Sequence, residues 1–143
     1  RLPAMVVSTA RALYADTDQM GIVNHAVALR WFEQARAEWL RRLGHSYLQM
    51  ELEGMLLPVY ELQVRYHKPA RYDEVVLLDA VLQKAGPVRV IFDYKILHSE
   101  TKALLISGST LHAVVGRNGR PRRLTEQMMA LLARGQQADA ESP

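Results

Sequence analysis

The chain has 143 residues, of which 49% are hydrophobic and 23% are charged, and its formal net charge is +3. These proportions are typical of a folded globular domain and exclude a largely disordered chain, a collagen-like repeat and an extended coiled coil. The absence of Cys excludes disulfides, thiolate nucleophiles and thiolate metal sites. No apolar run reaches the roughly 18 residues of a membrane span, and the first residues lack a signal-peptide pattern, so we expect a soluble, cytoplasmic protein.

The first half of the chain predicts one strand followed by one long helix. Loose alternation indicates a strand over residues 5–14, and a turn-rich segment follows it. Asn24 is a good N-cap and Gly44 a typical C-terminal signal, so the helix is expected from about His25 to Leu43. Its apolar residues fall on one stripe that we expect to be buried: Leu29, Phe32, Trp39, Leu40 and Leu43.

The second half has the period of two that is typical of strands. Strands are expected over 59–68, 74–84, 88–98 and 103–115, with a short helix at 125–134. Short links between strands indicate antiparallel neighbours, so the architecture is α+β. One helix cannot cover both faces of such a sheet, and we therefore expect a homo-oligomer. Residues 1–134 are expected to form a single domain, and residues 135–143 a polar, disordered tail.

Two carboxylates, Asp16 and Asp18, lie just upstream of the predicted helix start. A helix N-terminus carries unpaired N–H groups and a partial positive charge, so it can polarise a carbonyl oxygen. A nearby carboxylate can then act as nucleophile or as general base, and Gly21 would allow close backbone approach. Alternatively, the two Asp residues only stabilise a turn, or they bind a metal together with His25.

Four arginines, Arg117, Arg120, Arg122 and Arg123, lie within seven positions. They form either a solvated turn or a site for a phosphate-bearing ligand. Nucleic acid is disfavoured because no aromatic residues interleave with these arginines and the net charge is small.

Two runs of the chain resemble the 4-hydroxybenzoyl-CoA thioesterase-like branch of the hot-dog fold acyl-CoA thioesterases. The first is Asp16-Thr-Asp18-Gln-Met-Gly21-Ile-Val-Asn24-His25, followed by Leu29-Arg-Trp-Phe-Glu33-Gln-Ala-Arg36. The second is Val64-Arg-Tyr66-His-Lys-Pro69-Ala70-Arg-Tyr72-Asp-Glu. The resemblance extends over roughly residues 5–133. It implies a hot-dog domain, in which a five-stranded antiparallel sheet wraps around one long helix, here with a short C-terminal helix.

The resemblance also implies roles for residues of the first run. Asp18 matches the catalytic carboxylate, which either attacks the thioester carbonyl or activates water. His25 matches the position whose backbone N–H polarises that carbonyl, near Gly21. Family members need no metal or prosthetic group, and they form dimers, often tetramers, with active sites at the subunit interface. The expected substrate is an acyl-CoA. The alternatives are an acyl-carrier-protein thioester or a non-catalytic acyl-binding role.

Other candidate site residues carry charge or lie near the motif. Glu33 either forms an ion pair with Arg36 or acts as a second catalytic carboxylate or an orienting group for Asp18. Asn24 is included among the substrate-binding positions. Further candidates could bind the phosphates of CoA: His67, Lys68, Arg71, Arg89, Arg122 and Arg123.

Overall fold

The computed structural model describes residues 6–141. Within this range it has five strands and three α-helices. The strands are β1 (Val6–Arg11), β2 (Val59–Tyr66), β3 (Val75–Ala85), β4 (Arg89–His98) and β5 (Leu104–Ala113). The helices are α1 (Val27–Arg41), α2 (Tyr47–Leu52) and α3 (Glu126–Glu141), and a short 3-10 turn covers Tyr14–Asp16. The expected strand start at residue 5 lies outside the described residues.

The five strands form one antiparallel sheet in the order β1-β3-β4-β5-β2. Helix α1 packs against β3, β1 and β4, which confirms the expected hot-dog fold. The expectation that short links join neighbouring strands holds for β3, β4 and β5 but is wrong for β2 and β3. The link 67–74 instead passes the loop before α1, where Val23 N donates to Ala70 O at 2.8 Å. Strand β2 can therefore pair with β5 at the opposite side of the sheet.

The buried face of α1 differs from the predicted stripe. Phe32 stacks on Tyr94 with ring centroids 4.3 Å apart, and Trp39 meets Phe92 edge-on at 5.4 Å. Leu29, however, is 43% exposed. The contact face includes two small residues that the stripe left out, Ala28 and Ala35, and both are fully buried. Trp31, which the stripe also left out, is buried as well, so the buried face is centred away from Leu29.

The C-terminal helix is longer than predicted. It continues to Glu141, seven residues beyond the expected end at residue 134. Gly135 is buried, and the indole N–H of Trp39 donates to Asp139 at 2.8 Å. The Gln136 amide donates to the carbonyl oxygens of Leu82 and Gln83, on the part of β3 that β1 does not cover. The expectation of a disordered tail is therefore corrected for residues 135–141, while residues 142–143 lie outside the described range.

A buried chain of polar groups crosses the sheet beneath α1. The hydroxyl groups of Tyr94 and Thr110 are hydrogen-bonded, and Thr110 Oγ1 lies 2.8 Å from Nε2 of His112. Nδ1 of His112 lies 2.9 Å from the carbonyl oxygen of Leu57, so Nδ1 is the protonated nitrogen. Burial lowers the pKa of His112 to about 4, which keeps the ring neutral.

Among the helices of residues 6–141, none is long and apolar enough to span a membrane.

Candidate active site

The first motif folds into a hairpin that leads directly into α1. Asn24 N donates to Asp16 O at 2.7 Å, and Asp18 N donates to Ile22 O at 2.9 Å. Gly21 closes the turn with φ of +74°, a left-handed conformation that glycine adopts without strain. A Cβ at this position would contact nothing within 4 Å, so the turn needs glycine for its backbone angle rather than for space.

The two carboxylates of the motif have different environments. Asp16 is 4% exposed and has partners for both oxygens. Its Oδ2 accepts from Leu13 N at 2.9 Å, and its Oδ1 accepts from Arg30 at 2.8 Å. Asp16 is therefore a structural residue that joins the 3-10 turn to α1.

Asp18 is exposed, and only one of its carboxylate oxygens is held. Oδ1 accepts from Met20 N at 2.8 Å and from Ile22 N at 3.2 Å. No hydrogen bond within residues 6–141 uses Oδ2. The carboxylate therefore has a fixed orientation and one oxygen free to react.

The described residues contain no group of His, Asp and Glu that could hold a metal ion, Asp16, Asp18 and His25 included.

The start of α1 leaves one backbone N–H free. Asn24 Oδ1 accepts from Ala26 N at 2.9 Å, and Asn24 O accepts from Val27 N at 3.1 Å. Asn24 thus caps the first turn, although regular helix begins only at Val27, two residues later than predicted. Across residues 6–141, the backbone N–H of His25 has no acceptor. This is the N–H to which the resemblance assigned carbonyl polarisation.

Tyr66 contacts His25 from strand β2. Its hydroxyl donates to the carbonyl oxygen of His25 at 2.7 Å, and the two rings meet edge-on with centroids 4.7 Å apart. Burial raises the pKa of Tyr66, so the hydroxyl stays protonated and remains a donor. The sequence analysis assigned no role in the site to Tyr66, which it placed only within the expected strand 59–68. The available signal was its position in the second motif.

A cleft of about 240 Å³ lies beside the start of α1. It is lined by residues 22–25, 66–70 and Ile106. Lys68 is an exposed cation in its wall, and His67 Nε2 is hydrogen-bonded to the Ser107 hydroxyl at 2.8 Å. Arg71 is exposed and bridges to Ile22 in the hairpin. The structure therefore brings three of the predicted phosphate-binding residues, all from the second motif, next to the first motif.

Glu33 lies apart from this cleft within one chain. It is eight residues beyond His25, which corresponds to roughly 12 Å along a helix. Its side chain is exposed, and none of the ion pairs within residues 6–141 joins it to Arg36. Arg36 Nη1 instead lies 3.5 Å from the Tyr94 hydroxyl.

The remaining predicted cations lie at the other end of the sheet. Tyr66 pairs with Ile106 at the start of β5, whereas Arg89 pairs with Ala113 at its end. These two positions on β5 are roughly 24 Å apart. Arg122 and Arg123 lie beyond that far end, in a groove of about 1110 Å³. A single chain therefore does not bring them to the cleft.

Two arginines of this groove support the backbone of the segment around α2. The Arg122 guanidinium donates to Gly54 O at 3.1 Å and to Arg123 O at 3.0 Å. Arg117 donates to the carbonyl oxygens of Glu51 and Leu52 at the end of α2. Cations suit these positions because the last carbonyl groups of a helix have no partner within it.

The geometry combines a free carboxylate oxygen with a free N–H at a helix start. A carbonyl group that accepts from the His25 N–H would develop negative charge where the helix stabilises it. A carboxylate on the adjoining hairpin can attack that carbonyl or take a proton from water. This arrangement suits acyl transfer to water.

Comparison with known proteins gives a consistent result. A family model described as the thioesterase superfamily matches residues 20–104. Over 102 residues the chain is 34% identical to the putative acyl-CoA thioesterase YneP of Bacillus subtilis (strain 168), covering 71% of this chain and 73% of that protein. It is 28% identical over 120 residues to the acyl-CoA thioester hydrolase YbgC of Escherichia coli O6:H1, covering 84% of this chain and 90% of that protein.

Among solved structures, the DHNA-CoA thioesterase from Staphylococcus aureus is similar with a TM-score of 0.86 and 31% identity. The match covers 94% of this chain and 92% of that one. The chain therefore belongs to the thioesterase superfamily and is a thioester hydrolase with the hot-dog fold.

Proposed function

We propose that the protein hydrolyses acyl-CoA thioesters to a free carboxylic acid and CoA. The observation that carries this proposal is the unpartnered backbone N–H of His25 at the start of α1, next to the hairpin that holds Asp18. The names of YneP and YbgC give the acyl-CoA part of the proposal. Lys68 and Arg71 beside the cleft are suited to bind the phosphates of CoA, because both are exposed cations without an acidic partner within residues 6–141.

In the proposed mechanism the thioester carbonyl oxygen accepts a hydrogen bond from His25 N–H. Oδ2 of Asp18 then either attacks the carbonyl carbon or takes a proton from a water molecule that attacks it. Attack by Asp18 expels CoA thiolate and forms a mixed anhydride, which water cleaves to the acid and a regenerated carboxylate. Both routes consume one water and release one acid and one CoA thiol. Loss of one such backbone donor typically costs about 3 kcal/mol in the barrier.

The proposed working unit is a dimer formed through strand β2. This strand is at the edge of the sheet, and it leaves a row of backbone groups unpaired on one side. Four of its side chains are large, hydrophobic and exposed, namely Val59, Tyr60, Leu62 and Tyr66. Antiparallel pairing of two β2 strands about Gln63 would place Glu61 of one copy opposite Arg65 of the other. Opposite charge at these positions favours a second copy as the partner of this edge.

The dimer is tested with a charge at the β2 edge. Leu62→Asp is expected to give a monomer by light scattering, because pairing about Gln63 would place the new carboxylate opposite Val64 of the other copy, where it would lose water without gaining a partner. Leu48→Asp is the matched control, since Leu48 is an exposed leucine on α2. A dimer that persists in Leu62→Asp would contradict this interface, and so would a monomeric wild-type protein.

The hydrolase proposal is tested by release of free thiol. Wild-type protein and the Asp18→Asn variant are assayed against short, long, branched and aromatic acyl-CoAs, and against the same acyl groups on acyl carrier protein. We expect the wild type to release CoA and Asp18→Asn to lose at least about 100-fold in kcat. Asp93→Asn is the matched control, because Asp93 contacts Gln83 on the sheet, away from the hairpin. If thiol is released only from the carrier-protein thioesters, the substrate is an acyl-carrier-protein thioester and not an acyl-CoA.

A further inference from the structure

We infer that Tyr66 is a positioning residue for the reaction, because its hydroxyl fixes the peptide that follows the His25 N–H. This inference rests on the proposed function. The hydrogen bond from Tyr66 Oη to His25 O is 2.7 Å long, and it joins the edge strand β2 to the first turn of α1. Tyr66 does not need to touch the substrate for this role.

The two peptide units on either side of His25 are both held. The unit before it contains the free His25 N–H, and its carbonyl group accepts from Val27 N at 3.1 Å. The unit after it is held at both ends, at its oxygen by Tyr66 and at its N–H by the Asn24 side chain at 2.9 Å. The direction of the His25 N–H is therefore set by these contacts, and only the contact with Tyr66 comes from outside the segment.

The helical hydrogen bond by itself holds the His25 carbonyl group weakly. His25 O also accepts from Ala28 N, but at 3.3 Å, which is longer than a typical backbone hydrogen bond. The phenol therefore provides the shorter of the two contacts. It also places its ring against the imidazole of His25, with centroids 4.7 Å apart and planes at 74°. No hydrogen bond within residues 6–141 uses the His25 ring nitrogens, so this ring contact is what orients the imidazole.

An N–H that must stabilise developing charge contributes most when its position is fixed before the reaction. Without the phenol hydroxyl, the first turn of α1 would move more freely, and the position of the His25 N–H would be less well fixed. Ground-state binding of acyl-CoA depends largely on the rest of the ligand and would change little. The inference therefore predicts a larger effect on kcat than on KM.

Tyr66→Phe removes the hydroxyl and keeps the ring. We expect kcat to fall about tenfold with KM within about twofold, as for loss of one hydrogen bond that acts in the transition state. Tyr14→Phe is the matched control, because Tyr14 is an exposed tyrosine close to the hairpin whose hydroxyl has no partner within residues 6–141. Unchanged kcat in Tyr66→Phe, or an equal loss in Tyr14→Phe, would overturn the inference.

A spectroscopic measurement separates positioning from a general effect on stability. The acyl-CoA that the wild type hydrolyses fastest is labelled at its thioester carbonyl and bound to Asp18→Asn and to the Asp18→Asn, Tyr66→Phe double variant. Raman difference spectra should show a higher carbonyl stretching frequency in the double variant, because the carbonyl group is less polarised. Identical frequencies would overturn the inference. An inactive wild type or a fully active Asp18→Asn would instead contradict the proposed function, so the two failures are distinguishable.

Discussion

Arg30 donates to the buried carboxylate of Asp16 at 2.8 Å and ties the turn before α1 to the helix itself. The Asp16 side chain is 4% exposed, whereas the Arg30 side chain is 54% exposed. A buried carboxylate depends on such partners because it has lost its water. The neighbouring Asp18 is exposed, and one of its carboxylate oxygens has no partner within residues 6–141. The Asp-Thr-Asp motif therefore holds one carboxylate in a structural role and leaves the other, the proposed catalytic group, accessible.

These different environments predict a larger loss of stability for Asp16→Asn than for Asp18→Asn. Asp16→Asn should lower the free energy of unfolding by about 1–3 kcal/mol, because the new amide group cannot accept from both Leu13 N and Arg30. Asp18→Asn should change it by less than about 0.5 kcal/mol, because Asn can still accept from the turn. Urea denaturation gives the stabilities. A larger loss of stability in Asp18→Asn would contradict the assignment.

The close approach of β2 and α1 across Gly108 predicts that this glycine cannot be replaced. A Cβ at Gly108 would lie 2.2 Å from the Gln63 carbonyl oxygen and 2.7 Å from the Phe32 ring. Gly108→Ala should therefore destabilise the protein by about 3 kcal/mol, because both neighbours are held in place. Ser109→Ala, at the next position of β5, should change stability by less than about 0.5 kcal/mol. A Gly108→Ala protein as stable as the wild type in urea would refute the packing described for this strand.

The packing of α3 on α1 makes a prediction for Gly135. Alanine favours helix over glycine by about 1 kcal/mol. Its Cβ, however, would lie 2.6 Å from the Trp39 indole and 2.7 Å from Leu43. We expect the clash to outweigh the gain, so Gly135→Ala should be destabilising, by about 1–2 kcal/mol. Arg134→Ala, an exposed neighbour, should be close to neutral. Stabilisation by Gly135→Ala would show that α3 does not pack this closely.

Burial of His112 predicts a loss of stability on acidification. Burial holds its folded-state pKa at about 4, against 6.5 for an exposed His. Between these two values the unfolded chain binds a proton that the folded protein does not. The associated stability is therefore complete above pH 6.5, is lost as the pH falls towards 4, and amounts to about 3 kcal/mol. The His112 ring signals in NMR spectra should stay those of neutral imidazole down to about pH 5. Titration of the ring near pH 6.5 would contradict its burial.

Local patterns predicted most of the secondary structure and the part of the candidate site that the first motif forms. The alternation in residues 59–68 and 88–98 indicated β2 and β4 to within two residues, because side chains on opposite faces of a strand meet different environments. The turn-rich segment before α1 and the Asn24 cap were also predicted, because both depend on neighbours in the chain. The contacts of this segment with Ala70 and Arg71, in contrast, come from a distant part of the chain.

The arrangement of distant segments required the tertiary structure. Alternation shows which face of β2 is apolar, but not that β2 pairs with β5 rather than β3. The stripe of large residues on α1 did not reveal that Ala28 and Ala35 face the sheet, because an alanine contributes by permitting contact. Likewise, the polar composition after Gly135 did not indicate that α3 continues there. The hydrogen bond from the Trp39 indole to Asp139 holds this part of the helix.

The chemistry divides in the same way. The sequence by itself determined that a turn-rich segment with Asp18 and Gly21 precedes α1 and that Asn24 caps its first turn, since these features depend on hydrogen bonds within a few residues. Only the tertiary structure decided that Tyr66, 41 residues further on, holds the His25 carbonyl group, and that Arg122 lies at the far end of the sheet. Contacts between segments so far apart depend on how strands pair and helices pack, which a local pattern does not record.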